Sequence, residues 1–341
     1  MSYQSVGSPR FYVDSLQWFS SIGVGHHHAD YPVTGLNPSS FVDDIPEDGV
    51  DFTFNTDISF NFNYWGLLGH AGATTEPYIQ VDYGNYFLSN NTQEEIVNSN
   101  GGSTSNITFN YDGFSLIKMV LSGGGIDNVE LSFSAGDSLK IRMGTPIGCF
   151  TMGNIYDMPH SPDLKLTMTR EMDGVKRIRT KGGADLVNHR YIKPAMWTDK
   201  DGVGGAAWEL YSGTPTNQAL SRSGRRVWDL SFSYLQDSDM YAPRETIGSI
   251  IFDTEGYEEG VDYASETNYW MENMRFLAHN DFYTQVIHKT NGGQLPFIFQ
   301  PDKNNNNPDG FAICKFDMNS FKFEQVANGV YNVKLKIREV W

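Results

Sequence analysis

A chain of 341 residues is long for a single hydrophobic core, so two domains are the expectation. Aromatic residues at 14%, frequent Gly and Asn, and few long stretches rich in Ala, Leu, Glu and Lys point to a mainly β fold with many turns. The formal charge of −16 opposes the approach of phosphate, which argues against duplex DNA as the main ligand, and no run of about twenty apolar residues offers a membrane-spanning helix.

Residues 1–138 are expected to form a first β domain. The N-terminus MSYQSVGSPRF has no basic region followed by an apolar core, so export by the usual signal is not expected. Arg10 to Asp14 is a short strand candidate, and Leu16 to Phe19 begins either a strand or a helical turn. His26, His27 and His28, followed by Asp30, carry imidazoles beside a carboxylate, a chemistry that suits a transition metal. Successive residues of an extended chain point to opposite faces, so three in a row reach one ion only through a tight turn. A solvated or interface loop is the preferred reading, and no metal is expected.

Phe52, Phe54, Ile58, Phe60, Phe62 and Tyr64 recur on even numbers, which sets a row of aromatics on one sheet face. The continuation NYWGLLGHAGATTEPYIQVDYG reads as a strand, a Gly-His-Ala-Gly turn and a return strand from Tyr78 to Asp82. It resembles the jelly-roll, carbohydrate-binding-like domain of some phage minor tail proteins, which implies a β-sandwich here. Ser89 to Asn106 is a polar loop, and strands resume at Ile107 to Phe109, Ser115 to Leu121 and Val129 to Phe133. No GxxxxGK[ST] follows any glycine and no GxGxxG opens a helix, so nothing cradles a phosphate.

Residues 139–341 are expected to form a second β-rich domain with one amphipathic helix. Its centre is Ile147 to Leu235, where Leu164, Leu166 and Met168 alternate with Lys165, Thr167 and Thr169, and Trp228, Leu230 and Phe232 alternate with Asp229, Ser231 and Ser233. That period of two marks half-buried strands. Asp157-Met158-Pro159-His160-Ser161-Pro162 is a rigid corner leading into the first of them. The run YDMPHSPDL, the charged stretch ending in KGG, and GRRVWDLSFSYL resemble virion structural proteins of tailed bacteriophages, especially tail or baseplate components of marine phages, and more loosely the distal-tail and minor-tail proteins. The resemblance covers most of the chain. It implies a particle component located in the virion tail and assembled in the host cytoplasm, and it carries no catalytic signature.

Charge is unevenly spread. Between Lys165 and Arg226 lie 12 of the 25 basic residues and 6 of the 41 acidic ones, so this segment carries +6 and the remainder −22. The asymmetry reads either as a positive face that meets another subunit's negative one or as a solvated strand face with scattered Lys and Arg. Lys176, Arg177, Arg179, Arg222, Arg225 and Arg226 are the interface candidates. Arg222, Arg225 and Arg226 lead, because guanidinium groups clamp carboxylates of a neighbouring chain through paired hydrogen bonds. From Trp197 to Gly224 the chain makes a long irregular excursion, which in an assembly protein suits contact with a neighbour.

Trp270, Met274, Leu277, Ala278, Phe282, Val286 and Ile287 fall near one stripe, which predicts a helix over 266–290 with a break near Asn280 and a stop at Asn291-Gly292-Gly293. The strands Phe311 to Phe316 and Phe321 to Arg338 come next, the second broken by the hairpin dipeptide Asn328-Gly329. This ending resembles the C-termini of phage tail proteins. Asp302, Asn304, Asn306 and Asp309 mimic the alternate oxygens of a calcium loop, but Asn307 stands where glycine is needed and Ile313 where a glutamate is, so a polar hairpin tip is the reading. Cys149 and Cys314 sit among alternating apolar residues and are expected as buried free thiols, which suits a reducing cytoplasm.

There is no GxSxG elbow, and the abundant carboxylates, among them Glu94, Glu95, Asp253, Glu258, Glu259 and Asp262, make a close pair expected by accident. The expected function is therefore a non-enzymatic structural component of a phage tail, forming a ring or adaptor with copies of itself and other tail proteins, without cofactor or membrane insertion. The alternative is a carbohydrate-binding, receptor-recognising module of the same particle, using exposed aromatics at Tyr64, Trp65 and Trp208.

Overall fold

The computed structural model describes residues 7–22, 25–28, 36, 50–56, 60–70, 78–81, 93–98, 113–119, 131–133, 138–143, 149–171, 175–189, 225–240, 280–307 and 310–340. Strand β1 (Arg10–Asp14) leads into helix α1 (Ser15–Ser21). Then come β2 (Gly25–His28), β3 (Val50–Thr56), β4 (Phe60–Phe62), β5 (Tyr64–His70), β6 (Tyr78–Val81), β7 (Gln93–Asn98), β8 (Gly113–Met119), β9 (Leu131–Phe133) and β10 (Ser138–Met143). The second half adds β11 (Cys149–Asp157), β12 (Thr167–Glu171), β13 (Val175–Arg179), β14 (Asp185–His189) and β15 (Arg225–Gln236), then the single turn α2 (Asp237–Met240). A π-helix (Tyr283–His288) precedes β16 (Phe297–Gln300), β17 (Ala312–Phe316), β18 (Phe323–Ala327) and β19 (Val330–Glu339). The protein is mainly β.

One sheet organises the molecule. Its 11 strands run in the order β12-β15-β19-β17-β16-β1-β11-β5-β8-β7, with β18 pairing β19 beside that path. Neighbours pair antiparallel throughout. A second sheet has the order β2-β3-β10-β6, and two pairs, β13-β14 and β4-β9, stand apart from both. The expected boundary between residues 138 and 139 does not separate two sheets. Strand β1 lies between β11 and β16, and β5, β8 and β7 from the first half continue the same sheet.

The reason is visible in strand composition. The central strands carry apolar side chains at successive positions, so they are buried on both faces. Phe11, Val13, Phe297, Phe299, Ala312, Cys314 and Phe316 join one core with Trp228, Leu230 and Phe232. Tyr12, Ile298, Phe311 and Ile313 join a second core with Tyr64, Leu68, Leu116 and Cys149. Phe11 touches Phe282, Phe297, Phe299 and Phe316 at centroid distances of 5.2–6.1 Å, edge-on or tilted for the most part, as ring quadrupoles favour. Both cysteines are buried free thiols, and burial pushes both well above the ordinary thiol range.

Local chemistry fixes the entry to the sheet. Asp14 caps α1, its Oδ1 accepting from the Leu16 N–H at 3.0 Å and the Gln17 N–H at 3.3 Å. Gly153, opposite Asp14 in the β1–β11 register, has no room for a side chain: a Cβ there would lie 2.0 Å from the Val13 carbonyl oxygen. Arg10 spans the same pair of strands and donates to Asp157 at 2.5 and 2.9 Å. Burial pushes the Asp157 carboxyl up, but Arg10 outweighs it and holds the group below the usual range.

Of the predicted helix, residues 266–279 lie outside those described. Beyond Asn280 the chain forms the π-helix, which packs Phe282, Val286 and Ile287 onto the first core as their stripe predicts. Its stop is the predicted one, with φ of 51° at Asn291, 67° at Gly292 and 87° at Gly293. The loop after β16 is a hairpin tip: Asn304 N–H donates to Asp302 Oδ1 at 3.0 Å and Asn307 N–H to Asn305 Oδ1 at 3.2 Å.

Candidate interaction surface

Exposed apolar side chains recur on β15, on the segment leading into β12 and on the β13–β14 hairpin. Strand β15 alternates in the expected way through Trp228, Leu230 and Phe232, all buried, and the next inward residue by parity would be Tyr234. Instead the register slips between Phe232 and Leu235, where three steps on β15 oppose two on β19. This bulge turns Tyr234 outward at φ 63°, leaves it 79% exposed, and returns Leu235 to the core. The Tyr234 N–H reaches Asn332 Oδ1 at 3.4 Å.

Beside it, Asp163 is pinned to β15. Its N–H donates to the Ser231 carbonyl at 2.8 Å, and Ser233 Oγ donates to its Oδ2 at 2.9 Å. The alternation expected to bury Leu164, Leu166 and Met168 holds for only one of them: Leu166 packs on the core, strand β12 opens only at Thr167, and Leu164 and Met168 are 95% and 49% exposed.

After β12 in sequence comes the β13–β14 hairpin. Its turn is closed by the Thr180 N–H to the Ala184 carbonyl at 2.8 Å and by Gly183 at φ 85°. Residues 176–179 and 181–187 are all exposed. The register sets Ile178 opposite Leu186, and Arg179 opposite Asp185. One face thus carries Lys176, Ile178 and Leu186, and the other Arg177, Arg179, Asp185 and Val187, with Arg177 paired to Asp185.

The interface candidates separate accordingly. Lys176, Arg177 and Arg179 stand exposed on the hairpin, Arg222 lies outside the described residues, and Arg225 is half-buried. Arg226 is the correction: at 8% exposure it is no surface clamp. Its backbone N–H and Nε donate to Glu339 Oε2 at 2.8 and 3.3 Å, its Nη2 donates to Glu339 Oε1 at 3.1 Å and to the Phe311 carbonyl at 2.7 Å, and its guanidinium sits over the Trp228 ring at 5.2 Å. Sequence carried the signal, since Arg226 shares the inward parity of Trp228 and Leu230, and Glu339 that of Leu335 and Ile337.

The aromatics of the carbohydrate reading are also corrected. Tyr64 is fully buried, with its hydroxyl 3.2 Å from Thr151 Oγ1, and Trp65 is buried against Phe150. Neither offers a ring to a sugar, because the β5 they open lies inside the large sheet between β11 and β8. Trp208 lies outside the described residues. His26, His27 and His28 fall on strand β2, in ladder with Asn55, Phe54 and Thr53. Among the described residues no three of His, Cys, Asp and Glu gather as metal ligands, and no helix is long and apolar enough to cross a membrane. Compared with protein-family models, with curated proteins and with solved structures, the chain matches none of them.

Proposed function

We propose that this chain is a non-enzymatic structural subunit of a bacteriophage tail, at the baseplate or distal end, that assembles with copies of itself and with other tail proteins. The observation that carries the assembly role is the number of large apolar side chains left in water along residues 164–187 and at the β15 bulge: Leu164, Met168, Ile178, Leu186, Val187 and Tyr234 are all exposed. Soluble proteins rarely leave such a grouping uncovered unless another protein covers it. The tail assignment rests on the likeness of YDMPHSPDL and GRRVWDLSFSYL to virion structural proteins, two stretches that contain the exposed Leu164 and Tyr234. The segregation of +6 on Lys165 to Arg226 from −22 on the remainder supports the same reading, since matched charge orients subunits as they meet. Mass spectrometry of gradient-purified virions tests it: peptides of this chain are expected with the tail fraction, and their absence from particles would overturn the proposal.

A further inference from the structure

Building on the subunit reading, we infer that the β13–β14 hairpin is a docking arm that seats its Ile178–Leu186 face on a second copy of this chain. An isolated two-stranded ribbon is at best marginal in water. This one pairs with no other strand among the described residues, yet it holds Ile178 at 52% and Leu186 at 59% exposure as a directly opposed pair. Covering that pair removes apolar surface from water and fixes the ribbon at the same time, so docking and ordering reinforce each other.

Charge selects the partner. Residues 175–189 carry four basic side chains, Lys176, Arg177, Arg179 and Lys181, against the single acid Asp185. Among the described residues Asp185 is engaged by Arg177, and Lys176 on the Ile178–Leu186 face, Lys181 at the turn and Arg179 on the opposite face have no acidic partner. The chain outside Lys165 to Arg226 carries a net −22, so a second copy offers the opposite net charge to a basic ribbon. That same negative bulk repels nucleic acid, the other common ligand of a basic ribbon.

The test uses the full chain in analytical ultracentrifugation over a concentration series, with two variants: Ile178→Asp with Leu186→Asp, and Lys176→Glu with Arg179→Glu and Lys181→Glu. Because the hairpin is exposed, circular dichroism and Tm are expected to match wild type in both at protein concentrations that keep wild type monomeric. Wild type is expected to self-associate, more weakly as salt rises, and each variant to lose at least about tenfold in association. Wild-type association that both variants retain in full overturns the arm while leaving assembly through another surface. A chain that stays monomeric at every concentration but is found in virions also overturns the arm and leaves the tail reading standing. Loss in the variants of binding to a duplex DNA probe, with self-association intact, overturns it in favour of nucleic acid.

Discussion

Asp14 shows how one buried group couples the sheet to pH. Burial pushes its carboxyl from 3.8 up to about 7, against the pull of the Gln17 and Leu16 N–H groups that would favour the anion. The folded chain therefore holds this proton more tightly than the unfolded one. The contribution to stability is complete below pH 4, falls as pH rises toward 7, and beyond that has cost about 4 kcal/mol. Asp14→Asn keeps an oxygen for the cap and removes the titration. Denaturant titrations from pH 4 to pH 8 are expected to show a flatter profile for the variant, and equal slopes would refute this role. Tyr234 is a second residue under tension, because a left-handed backbone costs a non-glycine residue about 1–2 kcal/mol. Asparagine tolerates that conformation, and the exposed ring has little packing to lose. Tyr234→Asn is expected to raise Tm by about 2–4 °C, whereas a lower Tm would mean the ring holds the bulge in place.

Strands β15 and β19 carry the longest pairing in the sheet, and the Arg226–Glu339 pair closes one end of it. Removing one partner leaves the other charge buried, so Glu339→Ala is expected to cost about 3–5 kcal/mol, while Arg226→Met with Glu339→Leu restores most of it. Urea unfolding of the single and double variants decides the matter; a double variant as weak as the single one would show that hydrogen bonding to the Phe311 carbonyl dominates. Strands such as β1, β17 and β19 were legible because apolar runs and period-two alternation are properties of the sequence alone. So was the hairpin turn at Asn328-Gly329, where Gly329 has φ 65°. The bulge at Tyr234 and the late start of β12 at Thr167 were not, because each depends on what a distant strand offers: Tyr331 and Val333 set where Leu235 must fall, and Ser231 and Ser233 hold Asp163. The exposed hairpin face was half legible. Its charges stood out, but the exposure of Ile178 and Leu186 comes from the lack of a covering strand among the described residues, which no local pattern records.

At the scale of the whole molecule, the large sheet decides how the chain must fold. Length suggested two domains meeting near residue 138, yet β1, at the very start, fills the gap between β11 and β16, in ladder with Tyr156 on one side and Phe299 on the other. Its side chains enter both cores, Phe11 and Val13 on one face and Tyr12 on the other. Tyr12 also donates to Gln300 Oε1 at 2.8 Å, and Gln300 in turn holds the Asn305 carbonyl at 2.9 Å, so the first strand orders the loop beyond β16. A fragment beginning at residue 139 would expose β16 and β11 edges lined with aromatic residues, with two cores open at once. Residues 139–341 expressed alone are therefore expected to be unfolded or aggregated, and the full chain to lose β1, β11, β16 and β17 together when hydrogen exchange is monitored in rising denaturant. A fragment that folds with sharp dispersion in its spectrum, or β1 amides that exchange long before those of β16, would show that the halves are independent after all.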